Sequence, residues 1–148
     1  GDGPPFVVIL SLPGTGKSHL AIAALSAYAA AGYWVSYTFV PQYLALQRAS
    51  FGVEALREQA TSAWATINKA TVLALDDWGL EQGTDWAKKA IEEVVVYRAQ
   101  RGLKTIITAN HLKNAEERSR SRFADKTLTR MVDCVGAVDV RPFLGRNA

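Results

Sequence analysis

The stretch SLPGTGKS at residues 11–18 decides the fold of this chain. A run of bulky and β-branched residues precedes it at residues 6–10, which is typical of a strand buried on both faces. An alanine-rich segment follows at residues 18–31, with apolar residues at helical spacing and Gly32 where the helix would end. A glycine-rich turn between a buried strand and a helix is the usual setting of a phosphate-binding loop. The sequence therefore predicts a nucleotide-binding α/β domain.

The residue types in this loop match the chemistry of binding phosphate groups. Gly14 and Gly16 let backbone N–H groups turn inward around a β-phosphate, and Lys17 supplies a cation to the β- and γ-phosphates. Ser18 offers its hydroxyl to Mg²⁺. The alternative is a glycine-rich turn with an incidental lysine, which the flanking strand and helix disfavour. The predicted nucleotide-binding residues are Pro13, Gly14, Thr15, Gly16, Lys17, Ser18 and His19.

Ser11 departs from the full phosphate-loop pattern, which begins with glycine. If the backbone at this position needs a positive φ, a serine adds strain there. The departure therefore predicts weaker nucleotide binding in that case.

Two adjacent carboxylates follow a third predicted strand, at residues 71–75. Asp76 is placed to contact Mg²⁺ directly or through water. Asp77 is placed to polarise the water that attacks the γ-phosphate, although its side chain is one methylene shorter than that of glutamate. The alternative for the pair is a solvated turn, because aspartate favours turns.

Asn110 ends a further predicted strand, at residues 104–109, where ligands of parallel sheets bind. Its amide can donate to or accept from a water and the γ-phosphate, which suits a group that senses the nucleotide state. Asparagine is also a common turn former and helix cap, and by itself the residue favours that second interpretation.

The rest of the chain alternates between strand and helix patterns. Strands are predicted at residues 33–40 and 135–140, and helices at residues 42–70, 86–101 and 124–134, the first of them with a break at residues 50–52. This alternation indicates one doubly wound α/β domain over residues 1–148, whose ligand lies at the carboxyl ends of the strands.

Composition restricts the class of protein further. The 148 residues are 49% hydrophobic and 21% charged with a net charge of +3, which excludes a disordered chain, a collagen-like repeat and a disulfide scaffold. No apolar stretch reaches the length of a membrane span. A single cysteine, Cys134, and the lack of a secretory signal predict a cytoplasmic protein. The first residue is Gly1 rather than methionine, so we interpret the chain as processed or trimmed.

Three motifs occur in a familiar order: SLPGTGKSHLA at residues 11–21, VLALDDWG at 72–79 and TIITAN at 105–110. Together they resemble the AAA+ ATPases of the DnaC/IstB type, which are replicative helicase loaders and transposition helper ATPases. The resemblance covers about residues 6–141. It implies a P-loop AAA+ fold with a five-stranded parallel sheet between helices. The sequence departs from the family in two respects, since we expect no separate lid domain and a fragment without the N-terminal region through which such loaders bind their helicase.

The resemblance also implies an activity and partners. The activity is Mg²⁺-dependent ATP hydrolysis in DNA replication, and the cofactors are ATP and Mg²⁺. The partners are a replicative helicase, single-stranded DNA and further copies of the chain, which share ATP sites at their interfaces. By position, Lys17 and Ser18 resemble the Walker A pair, Asp76 and Asp77 the Walker B pair, and Asn110 the sensor-1 residue.

Arg130 resembles the arginine of the family's Leu-x-x-Arg segment, and the sequence places it on the predicted helix before the last strand. The resemblance implies an arginine finger that neutralises charge on ATP bound by the neighbouring subunit. The alternative is a surface arginine near a helix C-terminus. Arg118, Arg120 and Arg122 are candidate contacts to nucleic-acid phosphates, or else part of a solvated basic loop.

The sequence also allows three other functions. An IstB-like transposition helper has the same motifs as a helicase loader. A small P-loop kinase is a second alternative, which the adjacent Asp76 and Asp77 disfavour because such a pair suits water activation. A nucleotide switch without turnover is a third alternative, and Ser11 and the short Asp77 favour it.

Overall fold

The computed structural model describes residues 6–11, 14, 16–79, 84–110 and 129–133, with the backbone alone for residues 10, 11 and 129–133. The strands are β1 (Phe6–Ser11), β2 (Val35–Phe39), β3 (Val72–Trp78), β4 (Lys104–Asn110) and β5 (Thr129–Asp133). The helices are α1 (Lys17–Ala30), α2 (Val40–Ala49), α3 (Glu54–Lys69) and α4 (Asp85–Gln100).

The strands form one parallel sheet in the order β2-β3-β4-β1-β5. Strand β1 lies between β4 and β5, and the register pairs Ser11 with Asn110 at the end of β4. On the other side of β4, Phe39 of β2 pairs with Asp76 of β3. Because the strands are parallel, the glycine loop after β1 and the polar residues at the carboxyl ends of β3 and β4 lie at the same edge of the sheet.

Helices cover both faces of the sheet. Helix α1 buries Ala21 and Leu25 against Val72 and Ala74 on one face. Helices α2, α3 and α4 cover the other face, where Leu73 and other buried side chains form a second cluster. Successive residues of β3 therefore face opposite layers, which explains its continuous apolar sequence. The α/β class with a parallel sheet between helix layers is confirmed.

The predicted elements before residue 111 are confirmed with small shifts of their ends. The predicted break at residues 50–52 separates α2 from α3, and Gly52 adopts a φ of 77° there. Among the described residues, no helix is both long and apolar enough to cross a membrane.

The predicted helix at residues 124–134 is wrong over Thr129–Asp133, which is strand β5. This segment pairs with β1, from Phe6 with Thr129 to Leu10 with Asp133. Tertiary context explains the error, because the edge of β1 offers unpaired N–H and C=O groups to a segment that contains β-branched residues. The strand predicted at residues 135–140 lies outside the described residues.

The side chain of Arg98, on α4, connects the end of α3 to the start of β4 through hydrogen bonds. Its guanidinium is fully buried and donates to the carbonyls of Ile67 (2.7 Å), Ala70 (2.8 Å) and Lys104 (2.8 Å), while its Nε donates to Thr105 Oγ1 (2.9 Å). Burial lowers the pKa of Arg98 to about 10, so the group stays charged at neutral pH. One side chain of α4 thereby fixes the end of α3 against the start of β4.

Replacing Arg98 with methionine should lower the free energy of unfolding by about 3 kcal/mol or more, because buried carbonyls lose their donor. Arg57→Met is the matched control, since Arg57 is 61% exposed in a surface ion pair and should change stability by less than about 1 kcal/mol. Urea unfolding monitored by circular dichroism measures both. Equal midpoints for the two variants would contradict this role of Arg98.

Candidate nucleotide-binding site

The two described glycines after β1 have the backbone conformation expected of a phosphate-binding loop. Gly14 has a φ of 79° and Gly16 a φ of 89°, a left-handed conformation that favours glycine. Gly16 precedes α1, whose first turn has no side-chain cap on its N–H groups. Uncapped N–H groups at a helix N-terminus suit an anion. Lys17 is the first residue of α1 and is half-buried.

The other predicted nucleotide-binding residues differ in exposure, and two of them are not described. Ser18 is half-buried in the first turn of α1, whereas His19 in the same turn is exposed. Pro13 and Thr15 lie outside the described residues.

The positive φ that would strain Ser11 is not present. Its backbone is extended in β1 and pairs with Asn110. Among the described residues other than glycine, Asp77 alone has a positive φ.

The carboxylate of Asp76 is the polar centre of the site. The residue is 2% exposed and accepts hydrogen bonds from hydroxyl groups on three different elements. Ser18 Oγ of α1 donates to Oδ1 at 3.0 Å, and Thr108 Oγ1 of β4 donates to Oδ1 at 2.5 Å. Tyr37 of β2 donates its hydroxyl to Oδ2 at 2.5 Å. The structure thus brings together Ser18 and Asp76, the two predicted metal ligands.

A β-bulge positions Asp77. Leu75 pairs with Ile107 and Trp78 pairs with Ala109, so that Asp76 and Asp77 together face Thr108. Asp77 adopts a φ of 62°, a conformation that aspartate tolerates better than most residues. Its N–H donates to Thr108 Oγ1 at 2.9 Å, and its side chain is exposed. The backbone therefore sets the direction of this short side chain.

Asp77 and Asn110 line the same cavity, which has a volume of about 750 Å³. Helices α2 and α4 form its walls, and the ends of β3 and β4 lie at its base. Asn110 is half-buried. The remaining lining residues are Val40, Pro41, Leu44, Ala45, Arg48, Ala49, Trp78, Gly79, Thr84, Trp86, Ala87 and Lys88.

The donor set fits a magnesium ion. Ser18 and Asp76 offer oxygen atoms, the ligands that Mg²⁺ prefers. In the part of the chain that the structure describes, no cluster of three or more His, Cys, Asp or Glu residues could form an all-protein metal cage. Sites with one or two protein oxygens that share the ion with phosphate groups are typical of magnesium nucleotides.

The phenol of Tyr37 is a stable donor. Burial, the hydrogen bond to Asp76 and the negative charges of Asp76 and Asp77 all raise the pKa of Tyr37 well above its usual value of 10. The hydroxyl therefore keeps its proton at neutral pH and continues to donate to Asp76.

Sequence reasoning missed Thr108 and Tyr37. Thr108 carried a signal, because it is a polar residue inside an otherwise buried strand, next but one to Asn110. Tyr37 carried none, since its contact with Asp76 depends on β2 lying beside β3. Sequence patterns alone do not predict that order.

The predicted arginines lie elsewhere or are not described. Arg130 lies on β5 rather than on a helix, and its backbone pairs with Val7 of β1. Arg118, Arg120 and Arg122 lie outside the described residues.

The sheet order, the glycine loop and the adjacent carboxylates define a P-loop nucleotide-binding domain of the AAA+ type. The sequence matches the family of IstB-like ATP binding proteins over residues 5–135, and the chain belongs to this family. No curated protein matches the chain significantly.

Solved structures with the same fold include a helicase loader and a replication initiator. A crystal structure of the DnaC helicase loader is 25% identical, with a TM-score of 0.64, and the match covers 89% of this chain and 78% of that chain. A structure of DnaI is 20% identical, with a TM-score of 0.63, and the match covers 95% and 74%. The replication initiator DnaA, bound to AMPPCP and single-stranded DNA, is 18% identical with a TM-score of 0.68. That match covers 89% of this chain and 41% of the DnaA chain.

Replacing Thr108 with valine keeps the shape of the side chain and removes its hydroxyl. The N–H of Asp77 then loses its acceptor and Asp76 loses a donor, so the free energy of unfolding should fall by about 1–3 kcal/mol. Thr108→Ser keeps the hydroxyl and should recover part of the loss. Thr66→Val, at an exposed helix position, is the control. If Thr108→Val and Thr66→Val unfolded at the same urea concentration, this role of the Thr108 hydroxyl would be contradicted.

Proposed function

We propose that this ATP-binding domain binds ATP with Mg²⁺ and hydrolyses it to ADP and phosphate. The observation that supports this most is the meeting of Ser18 and Asp76 at 3.0 Å, directly beside the glycine loop. Phosphate binding and metal binding then occur at one edge of the sheet. Asp77, on the cavity side, supplies the acid that hydrolysis needs.

Different groups of the site bind the phosphate chain and the metal ion. The N–H groups around Gly14 and Gly16 and the cation of Lys17 bind the phosphate chain. Ser18 and Asp76 would hold Mg²⁺, which would supply positive charge to the phosphate chain. With phosphate groups and waters as the other ligands, the ion needs no further protein ligand.

Asp77 and Asn110 act on the attacking water. The exposed carboxylate of Asp77 accepts a hydrogen bond from the water and takes its proton as the water oxygen bonds to the γ-phosphorus. The bond from the γ-phosphorus to the bridging oxygen then breaks and releases ADP. Asn110 donates to the γ-phosphate or the water from the end of β4.

We extend the proposal to assembly and partners. Arg130 from a second copy of the chain acts as the finger on the γ-phosphate, so the active unit is a homo-oligomer with shared ATP sites. The likeness to the DnaC helicase loader supports a replicative helicase as partner, in the setting of DNA replication. Single-stranded DNA is the second partner, with Arg118, Arg120 and Arg122 as the candidate contacts.

A transposition helper ATPase is the second candidate function. The family match to IstB-like proteins favours it, and the motifs of the site are compatible with both roles. The two candidates differ in the nucleic acid that should stimulate ATP hydrolysis. Stimulation by single-stranded DNA favours the loader, and stimulation by duplex DNA favours the helper.

Lys17→Ala should weaken the binding of ATP by about 10- to 100-fold, because charge-assisted contacts to the phosphates are lost. Lys69→Ala is the control, since Lys69 is an exposed residue at the end of α3. Calorimetric titration with ATP measures binding, and phosphate release across a range of protein concentrations measures turnover. The rate per subunit of the unaltered chain should rise with concentration if subunits share sites.

Two results would contradict the proposal. Equal ATP affinity in Lys17→Ala and Lys69→Ala would exclude the phosphate loop as the binding site. ATP binding without phosphate release at any protein concentration, with or without DNA, would exclude hydrolysis and leave the switch interpretation.

A further inference from the structure

The hydrogen bonds of Asp76 leave few positions for a metal ion or its waters. A carboxylate has about four acceptor positions, two on each oxygen. Oδ1 accepts from both Ser18 and Thr108, so both of its positions are taken. Oδ2 accepts from Tyr37, which leaves one position on that oxygen.

Ser18 differs from Asp76 because its oxygen keeps lone pairs for a cation. Its hydroxyl proton points to Asp76, so the lone pairs of Oγ remain for a cation. Ser18 is therefore able to bind the ion directly while its proton stays on the hydrogen bond. The one acceptor position that Asp76 keeps open, on Oδ2, is able to accept a hydrogen bond from a water bound to that ion.

Strand β2 places the Tyr37 hydroxyl on the other acceptor position of Oδ2. Tyr37 pairs with Ala74, and Phe39 pairs with Asp76, so Tyr37 and Asp76 lie on the same face of neighbouring strands. Tyr37 is 44% exposed, whereas Asp76 is 2% exposed. A partly exposed phenol thus donates a hydrogen bond to a buried carboxylate.

We propose that Tyr37 determines which divalent cation the ATP site prefers. Its hydroxyl occupies one acceptor position of Asp76 Oδ2 and restricts this carboxylate to a contact through a metal-bound water. Mg²⁺ keeps several waters and loses them reluctantly, whereas Ca²⁺ takes six to eight oxygen ligands, carboxylates among them. A site in which Asp76 contacts the ion through a bound water therefore favours Mg²⁺ over Ca²⁺. This inference rests on the proposed function, since it concerns the metal of that same site.

Tyr37→Phe removes the hydroxyl and keeps the ring. ATP affinity is measured by calorimetry with Mg²⁺, with Ca²⁺ and with EDTA. We expect the preference for Mg²⁺ over Ca²⁺, taken as the ratio of the two affinities, to fall about tenfold, the scale of effects of residues that orient metal ligands. The affinity in EDTA should not change. Tyr33→Phe is the control, because Tyr33 is 40% exposed and packs edge-on against Tyr28, away from Asp76.

The outcomes separate the inference from the proposed function. Equal losses with Mg²⁺ and Ca²⁺, or an unchanged ratio, would overturn the inference and leave ATP hydrolysis standing. ATP binding by the unaltered chain that no divalent ion strengthens would overturn the proposed metal site and the inference with it. Tyr37→Leu, without ring or hydroxyl, is the second variant if Tyr37→Phe does not fold, and it should shift the ratio in the same direction.

Discussion

A buried carboxylate is the constraint on which the arrangement of this domain depends. Taking a charge out of water is unfavourable unless hydrogen bonds or counter-ions compensate. Asp76 meets this requirement with hydroxyl groups from α1, β2 and β4, which have to lie side by side around β3. The sheet order β2-β3-β4-β1 and the position of α1 above it provide that arrangement. The same carboxylate is the proposed metal ligand, so its need for partners connects the fold to the site.

The bulge in β3 separates the two adjacent carboxylates. Without an extra residue opposite Thr108, Asp76 and Asp77 would continue a regular strand with alternating side chains. The bulge instead leaves Asp76 among hydroxyls and gives Asp77 a left-handed backbone beside the cavity that Asn110 also lines. A glutamate would lack the local tolerance for a positive φ that aspartate has.

Local patterns in the sequence predicted the strands and helices before residue 111 well. The buried strands, the glycine loop and the break before α3 each depend on residues close together in the chain, which is why periodicity and glycine positions found them. The pair Ser18 and Asp76 was also predictable, because parallel strands end at one edge of the sheet.

Features that depend on distant contacts were not predictable. Strand β5 forms because β1 has an open edge, and a helix was predicted there. The contact between Tyr37 and Asp76 needs the order of strands, and the burial of Arg98 needs its carbonyl partners from α3 and β4. A charged side chain such as that of Arg98 looks like a surface residue when the sequence is the only guide.

The central claim is that Asp76 holds the metal and Asp77 activates the water, and Asp77→Asn tests it most directly. Asparagine also tolerates the left-handed backbone at this position, so the bulge should persist. The measurement is phosphate release in a single turnover, with ATP affinity determined on the same sample. We expect unchanged affinity in the presence of Mg²⁺ and a rate that is lower by about 10²-fold or more. A rate equal to that of the unaltered chain would contradict the account.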